Sequence, residues 1–147
     1  MIFIKSWLSA SLVAVALFGS PEGAQEHALR PGLYEIEVTV ERGASQQQPI
    51  VVKRCFEPEA IASHTIFEVL SDESISTCPK YEICAGPNRT GFMAHCTGTR
   101  PASAVGMFAL ERNSFRGRIE FDRDTANPPS SEVQYGRRIG ECGVGIQ

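Results

Sequence analysis

The sequence predicts a mostly β domain: an antiparallel meander of about seven strands, curved or barrel-like, with one helix between its second and third strands and disulfides holding it together. Segments of alternating polarity recur along the chain, short turn-forming clusters separate them, and five cysteines follow an apolar leader. Alternation at period two gives a strand one dry and one wet side. Short connections between successive strands favour antiparallel pairing, and a sheet with one solvated face.

The leader comes first. Residues 1–7 carry one cation, Lys5; residues 8–18 are apolar apart from Ser9 and Ser11; Gly19, Ser20, Pro21, Gly23 and Ala24 are small or helix-breaking. That is the pattern of a secretory signal peptide. The apolar run falls short of the ~20 residues that a membrane-spanning helix needs. Cleavage is expected after Ala24, which divides the chain into a signal peptide, 1–24, and a single exported β domain, 25–147. No later stretch is apolar enough to span a bilayer, so the expected location is periplasmic or secreted.

The first strand is read at 33–41, where Tyr34, Ile36, Val38 and Val40 alternate with Glu35, Glu37, Thr39 and Glu41 after a Pro31-Gly32 break. A polar turn, 43–48, leads to a second strand at 50–56. Residues 58–70 form the helix candidate: Pro58 suits a first helical turn, and Ile61, Thr65, Ile66, Val69 and Leu70 make an apolar stripe. Residues 71–77 read as a polar linker. Strands at 79–84 and 90–97 flank the turn cluster Gly86-Pro87-Asn88. A strand at 103–111 follows, and then one at 115–122, where Phe115, Gly117, Ile119 and Phe121 alternate with Arg116, Arg118, Glu120 and Asp122. Asn127-Pro128-Pro129 breaks that run, and 133–139 is the last strand.

Cys55, Cys78, Cys84, Cys96 and Cys142 read first as a disulfide framework, because an exported chain meets an oxidising space. Cys78 and Cys96 lie equally far on either side of Pro87, so they would face each other across a hairpin. Cys55 and Cys142 then remain to tie the carboxyl end to the body, and Cys84 stays free or takes another cysteine's place. Zinc is the competing use of Cys78, Cys84, His95 and Cys96, but structural zinc ligands usually come in pairs two to four residues apart. No metal site and no cofactor is expected. There is no Cys-x-x-Cys motif, which leaves a thioredoxin-type role without its signature.

Nothing in the sequence assembles a catalytic motif around His27, His64 or His95, and no nucleophile elbow, phosphate loop or zincin helix is present. The net charge of −3 lacks the basic excess that nucleic acid requires. The pairs Arg116/Arg118 and Arg137/Arg138 read as solvated strand faces.

Four landmarks occur in order: Arg30-Pro31-Gly32-Leu33-Tyr34-Glu35, Cys55-Phe56-Glu57-Pro58-Glu59, the Cys78/Cys96 hairpin, and Gly136-Arg137-Arg138-Ile139-Gly140-Glu141-Cys142. Together they resemble the bacterial domain-of-unknown-function family 3617 (DUF3617) over about residues 30–142. Its members carry a signal peptide, a Pro-Gly-Leu-Trp-Glu-like opening, a Cys-Leu-Thr-Pro-like landmark and a Gly-Arg-Arg-Leu-Gly-Asp-Cys-like end. This chain departs from the pattern in Tyr34, where tryptophan is usual, and in the extra Cys84. The resemblance implies a periplasmic or secreted protein of proteobacteria and carries no activity with it.

The functional expectation is a non-catalytic binding or interaction module of the bacterial envelope. Its partner would be a small apolar ligand or an envelope protein. Tyr34, Ile36, Val38, Phe92, Phe115, Ile119 and Phe121 would line such a ligand site, or would simply form the core. The alternatives are an assembly protein docking through a strand edge or the Arg137/Arg138 surface, and an enzyme or redox protein using Cys84.

Overall fold

The computed structural model describes residues 28–97, 102–123 and 130–143. The expected leader, His27 and the Asn127-Pro128-Pro129 break lie outside the described residues. The strands are β1 (Gly32–Arg42), β2 (Ser45–Gln46), β3 (Ile50–Phe56), β4 (Lys80–Ala85), β5 (Arg89–Cys96), β6 (Ala102–Leu110), β7 (Ser114–Arg123) and β8 (Ser130–Gly140). All pairings among them are antiparallel. β4 to β8 form the expected meander, and β8 then lies against β1. The other side of β1 takes β3 along residues 32–38 and the two-residue β2 at Glu41 and Arg42.

The sheet is open, not closed into a barrel: β3 stands at one edge and β4 at the other, with no pairing between them. The chain that joins these edges, residues 57–79, runs over one face of the sheet as a strap. Alternation therefore resolves into a covered face and an open face. Tyr34, Ile36, Val38, Phe92, Phe108, Phe115, Ile119 and Phe121 are buried on the covered side. Glu35, Arg116, Arg118 and Met107 are on the other.

The strap departs from the expected helix at 58–70. A single turn, α1 (Pro58–Ala62), ends near His64, whose φ is 55°. The stretch expected as a linker holds a second turn, α2 (Glu73–Ser76), whose first turn is capped by the Asp72 carboxylate accepting from the Ser74 amide at 3.0 Å. Helix propensity loses here to tertiary packing. Phe67 and Val69 insert into the core, at 3% exposure each. The amides of Leu70 and Ser71 find their acceptor on β8 instead of within a helix.

The core rests on a repeated device. Phe92, Phe108 and Phe115 are each directly opposite a glycine on the next strand: Gly106, Gly117 and Gly136. A Cβ at Gly117 or Gly136 would fall within the facing phenyl ring, so these two positions need glycine for the ring to lie flat on the strand. The ring of Phe67 closes the layer from above, with centroids 4.5 Å from Phe108 and 5.5 Å from Phe115.

Two disulfides fix the ends of the strap. Cys55, two residues before it, is bonded to Cys142; Cys78, near its far end, is bonded to Cys96 across the β4–β5 hairpin. Cys84 is the free cysteine. Such bonds point to a compartment outside the reducing cytoplasm. No helix of the described residues is long and apolar enough to cross a membrane.

Candidate functional site

A concavity opens at the end of the covered face where β1, β3, β7 and the strap diverge. Its volume is about 490 Å³. Val38 and Val40 from β1, Ile50 from β3, Leu70 from the strap and Phe121 from β7 give it apolar walls. Arg42, Gln47, Gln48, Ser71, Asp72 and Ser130 supply its polar lining. With six polar residues to five apolar ones, the cleft is more polar than the usual small-molecule site, whose walls are mostly hydrophobic.

One wall of this cleft is held by a buried carboxylate. Glu132 of β8 is fully buried and accepts hydrogen bonds from the Leu70 amide at 3.0 Å, the Ser71 amide at 2.8 Å and Gln134 Nε2 at 2.5 Å. Gln134, also buried, donates to the Glu68 carbonyl at 2.7 Å. A buried polar group is costly unless it is hydrogen-bonded. Here backbone and carboxamide N–H groups surround it, and the result is a fixed attachment of the strap beside the cleft. The last strand as read from sequence, 133–139, starts one residue too late to include Glu132. The signal for it was a polar pair at two-residue spacing, Glu132 and Gln134, in phase with the inward-facing Gly136.

Of the residues expected to line a ligand site, Val38 and Phe121 reach the cleft; Tyr34, Ile36, Phe92, Phe115 and Ile119 are packed core. The Tyr34 hydroxyl donates to the Arg30 carbonyl at 2.7 Å, and its ring stacks on Phe56 with centroids 4.8 Å apart. Burial pushes the Tyr34 hydroxyl up to about 12, against a smaller opposite pull from Arg138 and Arg30.

Arg137 and Arg138 do not form a shared basic surface. Adjacent strand residues point to opposite faces. Arg137 pairs with Glu35 on the open face at 2.7 Å, whereas Arg138 turns to the Pro31 carbonyl at 2.8 Å and to Glu141. Arg118 on the open face bridges Glu120, Glu41 and Ser131. The hydrogen bonds from these arginines hold the carboxyls of Glu35, Glu41 and Glu141 below the usual carboxylate range.

His64 is largely enclosed, with Nε2 at 4.0 Å from Glu82, while His95 is exposed on β5. Cys55, Glu57 and Cys142 gather as a potential ligand group, but the two sulfurs are bonded to each other. Cys78 and Cys96 are likewise joined, so the ligand set Cys78, Cys84, His95 and Cys96 is not available to zinc.

Fold and site together define a small all-β domain: a strapped, open antiparallel sheet with a disulfide at each end of its strap and a cleft beside the strap's buried anchor. The chain belongs to the family described as protein of unknown function DUF3617, whose model matches residues 29–142. Comparison with curated proteins and with solved structures gives no match.

Proposed function

We propose that this protein is a non-catalytic binding module that works in the periplasm or after secretion, and that the cleft holds a small amphipathic molecule. The cleft carries this reading: its walls of Val38, Val40, Ile50, Leu70 and Phe121 suit an apolar body, and Arg42, at its margin, suits an anionic head. The leader-like residues 1–24 and the two disulfides support a location outside the cytoplasm.

The test uses native mass spectrometry of protein purified from its own host, together with binding of the anionic apolar dye anilinonaphthalene sulfonate. A bound small molecule in repeated preparations is expected. Val40→Trp fills the cleft from β1 and should abolish both the adduct and dye binding, while thermal unfolding stays cooperative. Preparations free of any adduct, with dye binding indifferent to Val40→Trp, would defeat the reading.

A second reading has its own observation. The edge strands expose Ile50 and Val51 at one side and Tyr81 and Ile83 at the other, and unpaired edges invite another chain. Cross-linking in the host envelope supports this docking role if one partner recurs and counts against it if products are diffuse.

A further inference from the structure

We propose that Cys84 and Met107, with Met93 beside them, form a binding site for a soft monovalent cation of the cuprous or silver type on the open face of the sheet. Three independent features place these sulfurs together. The first is a bulge. β4 pairs regularly with β5 through Glu82, but the register shifts before Cys84, and Cys84 then faces Gly91. Without the shift, Cys84 would share the face of Lys80 and Glu82; with it, Cys84 is on the same face as Tyr81 and Met93. Re-aiming one side chain is a common use of a bulge.

The second feature is Gly91 itself. A Cβ there would meet Met107 Sδ at 2.5 Å and Cys84 Sγ at 3.2 Å. Sulfurs from the two neighbouring strands therefore lean over one residue that has no side chain to separate them. The third is supply. Met93 follows two positions along β5 on the same face, and both methionines are substantially exposed, at 41% for Met93 and 46% for Met107. Their flexible side chains can swing onto an ion without disturbing the core.

The donor set decides the ligand class. A thiolate and thioethers are soft ligands that select cuprous-type ions, whereas calcium, magnesium and manganese prefer oxygen. Metal–thiolate bonds are roughly 2.3 Å long, and rotation of the flexible Met107 side chain would bring its sulfur and that of Cys84 to one ion over Gly91. Across the next strand Arg118 faces Met107 in the ladder, but it is held by Glu120 and Glu41. On binding, the Cys84 S–H bond breaks, the proton passes to solvent, and the sulfur forms its bond to the ion. No electron is transferred.

The experiment titrates the protein, with both disulfides intact and Cys84 as the thiol, with silver ion in chloride-free buffer. Silver is chosen because it leaves the disulfides oxidised. Native mass spectrometry counts the ions, and competition against free methionine and free cysteine ranks the affinity. One ion per chain, bound more tightly than by free cysteine, is the expected result. Cys84→Ser should abolish it, and Met107→Leu should weaken it by roughly an order of magnitude, as loss of a metal-site partner does. Met107 is exposed, so leucine there leaves the fold intact, which near-ultraviolet circular dichroism checks. Equal affinity in wild type and Met107→Leu, affinity no better than that of free cysteine, or retention of the ion by Cys84→Ser would each overturn the site.

Discussion

Glu132 is the residue on which most depends at the smallest scale. Its carboxylate accepts from the amides of Leu70 and Ser71 in partly buried hydrogen bonds. Glu132→Leu takes the acceptor from these two partly buried bonds, and each unsatisfied group costs about 1–3 kcal/mol when water cannot replace it. We expect Glu132→Leu to lose about 3 kcal/mol in chemical denaturation, and hydrogen exchange to quicken at Leu70 and Ser71 before the strands. Glu132→Gln keeps one acceptor oxygen and should lose less. Tyr34 sets the alkaline limit. Its hydroxyl ionises near 10 when unfolded and near 12 when folded, so the fold favours the protonated form. That contribution is complete below pH ~10 and is lost as pH rises toward ~12. Tyr34→Phe should cost about 1 kcal/mol at neutral pH through the lost bond to Arg30, and should flatten the decline between pH ~10 and ~12, as read from stability against pH.

At the scale of elements, the strap is the part that sequence periodicity misread. Ile61, Thr65, Ile66, Val69 and Leu70 are spaced as a helix face, yet the helix stops at Ala62 because Phe67 and Val69 are worth more inside the aromatic layer. Of the expected helix face only Ile61 and Val69 are buried; Thr65 is exposed, and Phe67, outside that face, takes the central place in the aromatic layer. The disulfides at its ends act through the unfolded chain. Cys55–Cys142 closes a separation of 87 residues and Cys78–Cys96 one of 18. Loop-closure entropy then assigns about 4.6 and about 3.2 kcal/mol respectively. Paired Cys→Ser replacement at 55 and 142 should therefore lower the denaturation midpoint more than replacement at 78 and 96. The opposite order would mean that native-state effects, not chain entropy, dominate.

Across the whole molecule, the two faces of one sheet have different duties. The covered face is closed by phenylalanine rings lying over glycines and ends in the cleft. The open face carries the Glu35–Arg137 and Glu41–Arg118 ion pairs. Hydrogen bonding to arginine lowers the Glu35, Glu41 and Glu141 carboxyls. Their contribution is present above the unfolded carboxylate value and disappears as pH falls through the lowered folded values. We expect thermal stability to fall below pH ~4. Because these pairs are exposed, the slope should be shallow and should shrink in added salt.

The sequence by itself determined the β class, most strand positions and the hairpin arrangement around Pro87, because alternation and turn chemistry are local properties written residue by residue. It also marked Tyr34, Phe92, Phe115 and Phe121 as core candidates, since burial follows from side-chain type, but not Phe56, Phe67 or Phe108. Only the tertiary structure decided that β8 lies against β1, that the sheet stays open and that residues 57–79 cross its face. It alone decided that Glu132 and Gln134 are buried there and that a bulge turns Cys84 toward Met107. Those outcomes are contacts between segments distant in the chain, and no local pattern encodes which distant amide a buried carboxylate will meet.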